Sequence, residues 1–367
     1  MTRNEVGAGR SARWLGSLAS ALVAIMLVAS GAAKADDRLA ALWAEAGSGP
    51  RDEVCFATQD LGPVYAVTWD ASLGINARGT VVGTRGASPG ERTGFVFDQG
   101  AFTEVGSPEF SLRAVNASGL AVGGRYSPGQ PARAISWSRG VVTDLGTLEG
   151  GSESWSWAVN DRGVAVGDAR VAGVYHAAAF YGGEVFDLGV LGQGSYANGI
   201  NDHGDVVGGW QALDGSWHGF IVPRGGEIRD LGEVAGMPGV ASADKIANDG
   251  TVCGSAVFPT GYHGYLWKDG TMTDLGDLGG GWSVCADVSD TGMAVGQAGD
   301  AWGGGPAFLW RSAEEGMIDL NTRIPAEAGV YLWWASGINS AGQIAAWGWS
   351  FAEETNKGYL LSPVACE

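Results

Sequence analysis

Three of the four histidines stand at a near-constant distance before an aspartate. His176 precedes Asp187, His263 precedes Asp274, and His218 precedes Asp230 with one inserted residue. An imidazole held by a carboxylate is the orienting half of a general-base pair. Such a pair needs a nucleophile or a positioned water beside it. The chain has no nucleophile elbow, phosphate loop, paired metal ligands or nucleic-acid stripe. Moreover, Thr93, Arg133 and Pro306 fill the same slot elsewhere. A slot that accepts such different side chains is structural, and its expected role is to fix a turn by pairing with the neighbouring aspartate. The recurring acids Asp60, Glu104, Asp144, Asp187, Asp230, Asp274 and Asp319 are read the same way, and His203 is read as a solvated turn residue. No catalytic residue, metal ligand or cofactor is assigned.

The slot recurs because the chain repeats. "INARGTVVG" at 75–83 returns as "VNASGLAVG" at 115–123, "VNDRGVAVG" at 159–167, "INDHGDVVG" at 200–208, "IANDGTVCG" at 246–254, "VSDTGMAVG" at 288–296 and "INSAGQIAA" at 338–346. The shared glycines Gly79, Gly119, Gly163, Gly204, Gly250, Gly292 and Gly342 are 40 to 50 residues apart. "DLG" keeps the same beat, as does an apolar phrase such as "GYLW" at 264. A period in the low forties, made of short β-rich pieces divided by glycine, marks propeller blades. Within a copy, a short first strand ends in a turn that opens with Asn and closes with Gly. Asn accepts local backbone bonds and Gly tolerates positive φ. "VVG" starts a second strand, "GYLW" is a buried third, and the strand ending in "DLG" is the fourth. Helical periodicity is absent, except for a turn or two within 36–47.

The last copy lacks a fourth strand after "GYLLSP", while "VCFATQDLG" at 54–62 is a fourth strand without a copy. The expected fold is therefore all-β: one seven-bladed β-propeller with four-stranded blades, closed when the amino-terminal strand completes the last blade. Its expected span is 54–367, after a signal peptide at 1–35 and a leader at 36–53. The signal reading rests on Arg3, Arg10 and Arg13, the apolar run that follows, and the Ala33-Lys34-Ala35 site. These phrases resemble the HAF-repeat family of extracellular bacterial proteins, over roughly 54–362. The His-Ala-Phe tripeptide is never intact here; "HAAAF", "HGF" and "HGY" stand in its place. The resemblance implies export and a repeat fold, and it implies no activity.

Four cysteines follow the signal. In an exported chain they form disulfides. Cys55 lies in the orphan strand and Cys366 follows its partner strand, so a Cys55–Cys366 bond would lock the ring. Cys253, in a second strand, and Cys285, just before the next first strand, form the other expected pair; buried free thiols are the alternative.

The net charge of −18 argues against nucleic acid and anionic membranes as partners. No segment after the signal could insert in a membrane. Departures from the repeat carry most tryptophans: Trp155, Trp157, Trp210, Trp217, Trp282, Trp302, Trp333, Trp334, Trp347 and Trp349. They are assigned to long loops on one face, among carboxylates such as Glu149, Glu153, Asp214, Asp277 and Asp300. Aromatic planes beside carboxylates suit neutral sugars, although the same rings could pack between blades. The expected protein is a secreted monomer, extracellular or periplasmic, that binds a polysaccharide or surface glycan through Trp155, Trp157, Trp210, Trp217, Trp282, Trp302, Trp334 and Trp347. The alternative is a glycoside hydrolase or lyase with a carboxylate pair on the same face.

Overall fold

The computed structural model describes residues 54–64, 73–86, 92–106, 109–126, 129–232 and 239–366. The expected signal and leader, 1–53, lie outside the described residues. Those described form an all-β structure whose basic unit is a four-stranded antiparallel meander. The strands Gly151–Val159, Ala165–Val171, Val174–Tyr181 and Glu184–Gly189 are a typical unit, paired in chain order. Units of the same order run from Gly74–Ile75 to Ala101–Val105, from Phe110–Val115 to Val141–Gly146, and from Gly194–Ile200 to Arg229–Asp230.

Two further units share one eight-stranded sheet. A parallel pair, Tyr262 with Trp282, joins the unit that starts at Val240–Ile246 to the one that starts at Gly279–Val288. Glycine permits this contact: a Cβ on Gly261 would lie 2.5 Å from the Gly281 carbonyl oxygen. The final sheet combines Val330–Ile338, Ile344–Ser350 and Thr355–Ala365 with the amino-terminal strand Val54–Pro63. The pairing is antiparallel, from Val54 opposite Ala365 to Asp60 opposite Tyr359. The orphan strand therefore pairs where expected, over a longer register.

Second and third strands are the most buried because both their faces meet other sheets. The apolar clusters lie between consecutive sheets. Val82, Val96 and Leu112 share one cluster, and Val122, Ala165 and Phe180 share the next. Another unites Leu61, Ala345 and Leu360 of the final sheet with Leu73, Val81 and Phe95 of the first unit.

First strands carry a recurrent bulge. Register shifts fall between Leu112 and Ala114, Ser156 and Ala158, Ala197 and Gly199, Ala243 and Lys245, Cys285 and Asp287, and Ala335 and Gly337. The bulge brings the first-strand backbone against the second strand, where the last glycine of "V-V-G" receives it. A Cβ on Gly167 would lie 1.9 Å from the Trp155 carbonyl oxygen. The second glycine of the phrase, at Gly123, Gly167, Gly208, Gly254 and Gly296, is thus explained by close approach.

Both disulfides are formed. Cys55–Cys366 spans Cα atoms 5.0 Å apart, and Cys253–Cys285 spans 5.9 Å. Cys285 lies within its first strand, not before it, because that strand begins at Gly279.

Candidate functional site

The repeat's polar residues are spent on architecture. Asn76 Oδ1 accepts the backbone N–H groups of Arg78 and Thr80, at 2.9 and 3.0 Å, and so closes its own turn. Its Nδ2 donates to the Asn116 carbonyl of the next unit at 2.9 Å. Asn116 donates likewise to Asn160, and Asn160 to Asn201.

The histidines pair with the expected aspartates. His176 Nδ1 is 2.9 Å from Asp187 Oδ2, and His263 Nδ1 is 2.9 Å from Asp274 Oδ1. His218 Nδ1 is 3.4 Å from Asp230 Oδ2. In two of these pairs the same carboxylate also accepts from the glycine N–H two residues on, at 2.8 Å for both Gly189 and Gly276. "D-L-G" is therefore an aspartate-capped turn whose carboxylate also takes a cation or imidazole. Lys357 fills the slot in the final sheet: its buried Nζ is 2.6 Å from Asp60 Oδ2 on the amino-terminal strand.

The tryptophans stand differently from the loop placement. Trp155 and Trp157 lie in Gly151–Val159, Trp210 is the penultimate residue of Val206–Gln211, and Trp217 begins Trp217–Val222. Trp282 lies in Gly279–Val288, Trp333 and Trp334 in Val330–Ile338, and Trp347 and Trp349 in Ile344–Ser350. The strands outrun the repeat phrase, so these rings sit on strands and are half-buried. Trp302 alone among the ten is on a turn, 75% exposed. Trp155 and Trp157 stack with centroids 5.8 Å apart, and Trp155 packs over Gly124 of the preceding unit. Trp210 stacks on His218 at 4.6 Å and donates Nε1 to Asp230 Oδ2 at 2.9 Å. Trp217 reaches Tyr196 at 5.6 Å, and Tyr196 stacks on Tyr175 at 5.4 Å. Trp334 and Trp347 are cross-strand partners. Trp282 packs separately against Gly299 and Gly305.

The bulges aim Trp157, already among the expected ring residues, and three residues that sequence reasoning missed: Arg113, Asn198 and Asp244. Lys245 and Asp287 follow directly after such positions. Arg113 lies over the Trp157 ring at 5.0 Å, and Trp157 Nε1 donates to Asp168 Oδ1 at 2.5 Å. Asp244 accepts from Ser242 Oγ at 2.7 Å. Asp287 accepts from the backbone N–H groups of Val288 and Ile338, both at 2.9 Å. Burial pushes Asp244 and Asp287 each up to about 6, against the opposing pull of Lys245. Aligning the copies on the turn asparagine would have exposed these residues: the third position before it reads Arg, Trp, Asn, Asp, Ala and Ser from copy two onward.

These features define a β-propeller-like protein. The fold is similar to that of puromycin hydrolase, at 12% identity and a TM-score of 0.51, over 78% of this chain and 52% of that one. The chain thus spans about half the length of that enzyme. The β-propeller domain of the Trilobed protease from Pyrococcus furiosus aligns at 14% identity and a TM-score of 0.49, over 68% of this chain and 82% of that one. TolB from Acinetobacter baumannii aligns at 9% identity and a TM-score of 0.43, over 77% and 81%. At such identities the likeness concerns the fold alone. No protein-family model and no curated protein matches the chain.

Proposed function

We propose that the protein is an exported, seven-bladed propeller, closed by its amino-terminal strand, that binds a neutral polysaccharide without chemically changing it. Closure is supported by the apolar cluster between the final sheet and the first unit. The two disulfides and the basic-apolar-small pattern of 1–35 support export, and the HAF-type phrases agree with it.

The ligand reading rests on one observation. Trp155, Tyr196 and Trp334 each stand five residues before a turn asparagine, Asn160, Asn201 and Asn339. All three are half-buried on first strands. Around a closed ring, equivalent first-strand positions face one opening, so these rings would offer stacking faces to the same chain of sugars. Each contributes on the order of 1 kcal/mol, or about fivefold in affinity. Affinity electrophoresis through a neutral β-glucan tests this. Trp155→Ala, Tyr196→Ala and Trp334→Ala should each weaken retardation, and the triple variant should abolish it with both disulfides intact. Unchanged retardation in the triple variant would overturn the reading.

A carbohydrate-active enzyme is the second reading. Asp244 and Asp287 favour it, because carboxyls pushed up to about 6 can act as general acids. Reducing-end analysis of the retained glucan, with Asp244→Asn and Asp287→Asn as controls, separates catalysis from binding.

A further inference from the structure

The turn end of the molecule holds a groove between neighbouring units that the glycan reading does not use. Its cavity measures about 320 Å³ and is framed by Arg162, Tyr181, His203 and Arg224. Arg162 and His203 occupy the same turn position in successive units. Arg224 comes from the hairpin that follows Trp217–Val222, and its stem lies against Gly204. Val164, Leu188, Ile200 and Val206 supply an apolar floor.

The side chains of Arg162 and Arg224 make no ion pair or hydrogen bond among the described residues, in a chain with 40 acids against 22 lysines and arginines. The acids nearby are already engaged by amide donors. Asp161 Oδ1 accepts from the Ala117 N–H at 2.7 Å. Asp202 accepts from the Asp161 N–H at 2.7 Å and from Asn248 Nδ2 at 2.9 Å. Asp205 accepts from the Arg224 N–H at 2.9 Å and from Asn201 Nδ2 at 3.0 Å. Their oxygens secure the turns, which leaves two guanidinium forks facing a common space.

We infer that this groove binds a small organic anion, a carboxylate or phosphate monoester carrying a compact apolar body. Guanidinium groups recognise planar or tetrahedral oxyanions through paired N–H donors. The apolar floor and the Tyr181 ring cover the body, and the volume, at the low end for ligand sites, limits that body to about one ring. Inorganic phosphate alone would forgo the floor, and a neutral molecule would forgo the forks.

Isothermal titration of the disulfide-bonded protein, with phenyl phosphate, benzoate, inorganic phosphate and benzyl alcohol as probes, tests this. Phenyl phosphate or benzoate should bind at least about tenfold more tightly than either inorganic phosphate or benzyl alcohol, which corresponds to ~1.4 kcal/mol. The tighter of the two organic anions identifies the head group. Arg162→Gln with Arg224→Gln should remove about tenfold or more of that affinity and leave the melting temperature unchanged, since both side chains are exposed. Trp155→Ala should leave it unaffected, which separates this site from the glycan reading. Equal affinity in the double glutamine variant, or no organic anion preferred over benzyl alcohol, would overturn the assignment.

Discussion

Asn339 Nδ2 donates to the carbonyl oxygen of Asn76 at 3.0 Å, although 263 residues separate them. Asn339 Oδ1 also accepts the N–H groups of Ala341 and Gln343, at 3.1 and 3.0 Å. One side chain thus closes its own turn and ties the last unit to the first. Both asparagines are buried, so removing the amide strands donors and an acceptor away from water. We expect Asn339→Ala to cost about 2 to 3 kcal/mol. Asn339→Asp, which keeps the turn acceptor but sets a buried carboxylate oxygen against the Asn76 carbonyl, should cost at least as much. Urea unfolding followed by tryptophan fluorescence measures both. Equal midpoints for Asn339→Ala and the parent would show that the tie carries no stability.

The asparagine ladder breaks at Ala247 and Ser289, which occupy the turn position in the fifth and sixth copies. These are the units that share a sheet and the Cys253–Cys285 disulfide. Asn248, one residue on, takes over part of the link: it donates to Asp202 at 2.9 Å and to Asp290 at 3.1 Å.

The Cys55–Cys366 bond encloses 311 residues of separation, the other only 32. Loop-closure entropy grows with the logarithm of loop length, so the longer clasp should stabilise more. We expect Cys55→Ser with Cys366→Ser to lose about 3 to 5 kcal/mol, and Cys253→Ser with Cys285→Ser about 2 to 4 kcal/mol. Lys357–Asp60 holds the same strand pair and should keep the first double variant folded. Chemical denaturation of the two oxidised variants ranks them, and the reverse order would refute the entropic account.

The repeat was legible because its signals are local. Asn and Gly define a turn, Asp and Gly define another, and buried Val and Phe mark the strands between. Pairing of Val54–Pro63 with the last unit followed from counting strands. What stayed hidden depended on departures from alternation. A bulge re-aims Arg113, Trp157 and Asp244, so period-two reasoning cannot say which way they face. The tryptophans looked loop-borne because the strands run on past the repeat phrase, as in Val330–Ile338. The Tyr262–Trp282 bridge depended on bare backbone at Gly261, which no pattern announces.

Trp155 tests whether these rings serve binding or packing. A Cβ on Gly124 would lie 2.2 Å from the Trp155 ring, so the ring and the glycine fit only together. Gly124→Ala should destabilise by about 1 to 3 kcal/mol through overpacking. Trp155→Ala should cost about 2 to 4 kcal/mol by emptying the contact. The double variant should be more stable than the sum of the two losses predicts, by about 1 kcal/mol or more. A thermodynamic cycle from urea midpoints reads this coupling. Strict additivity would mean that the ring swings away from Gly124 in solution and is free to meet a ligand.

The pH response should come from Asp244 and Asp287. Burial raises each from 3.8 to about 6. Between those values the folded chain holds protons that the unfolded chain has released. The stability linked to each raised carboxyl is fully present below about pH 4 and is lost as pH rises through about 6, by roughly 1 to 3 kcal/mol per group. Lys245 opposes part of this loss, because its charge favours the ionised carboxylates. We therefore expect Asp244→Asn and Asp287→Asn each to raise the melting temperature at pH 7.5 by a few degrees and to change it little at pH 4.5. The difference in melting temperature between the two pH values should narrow in each variant relative to the parent. If either asparagine lowers the midpoint at pH 7.5 as much as at pH 4.5, that carboxylate is ionised throughout, and the Lys245 attraction outweighs burial.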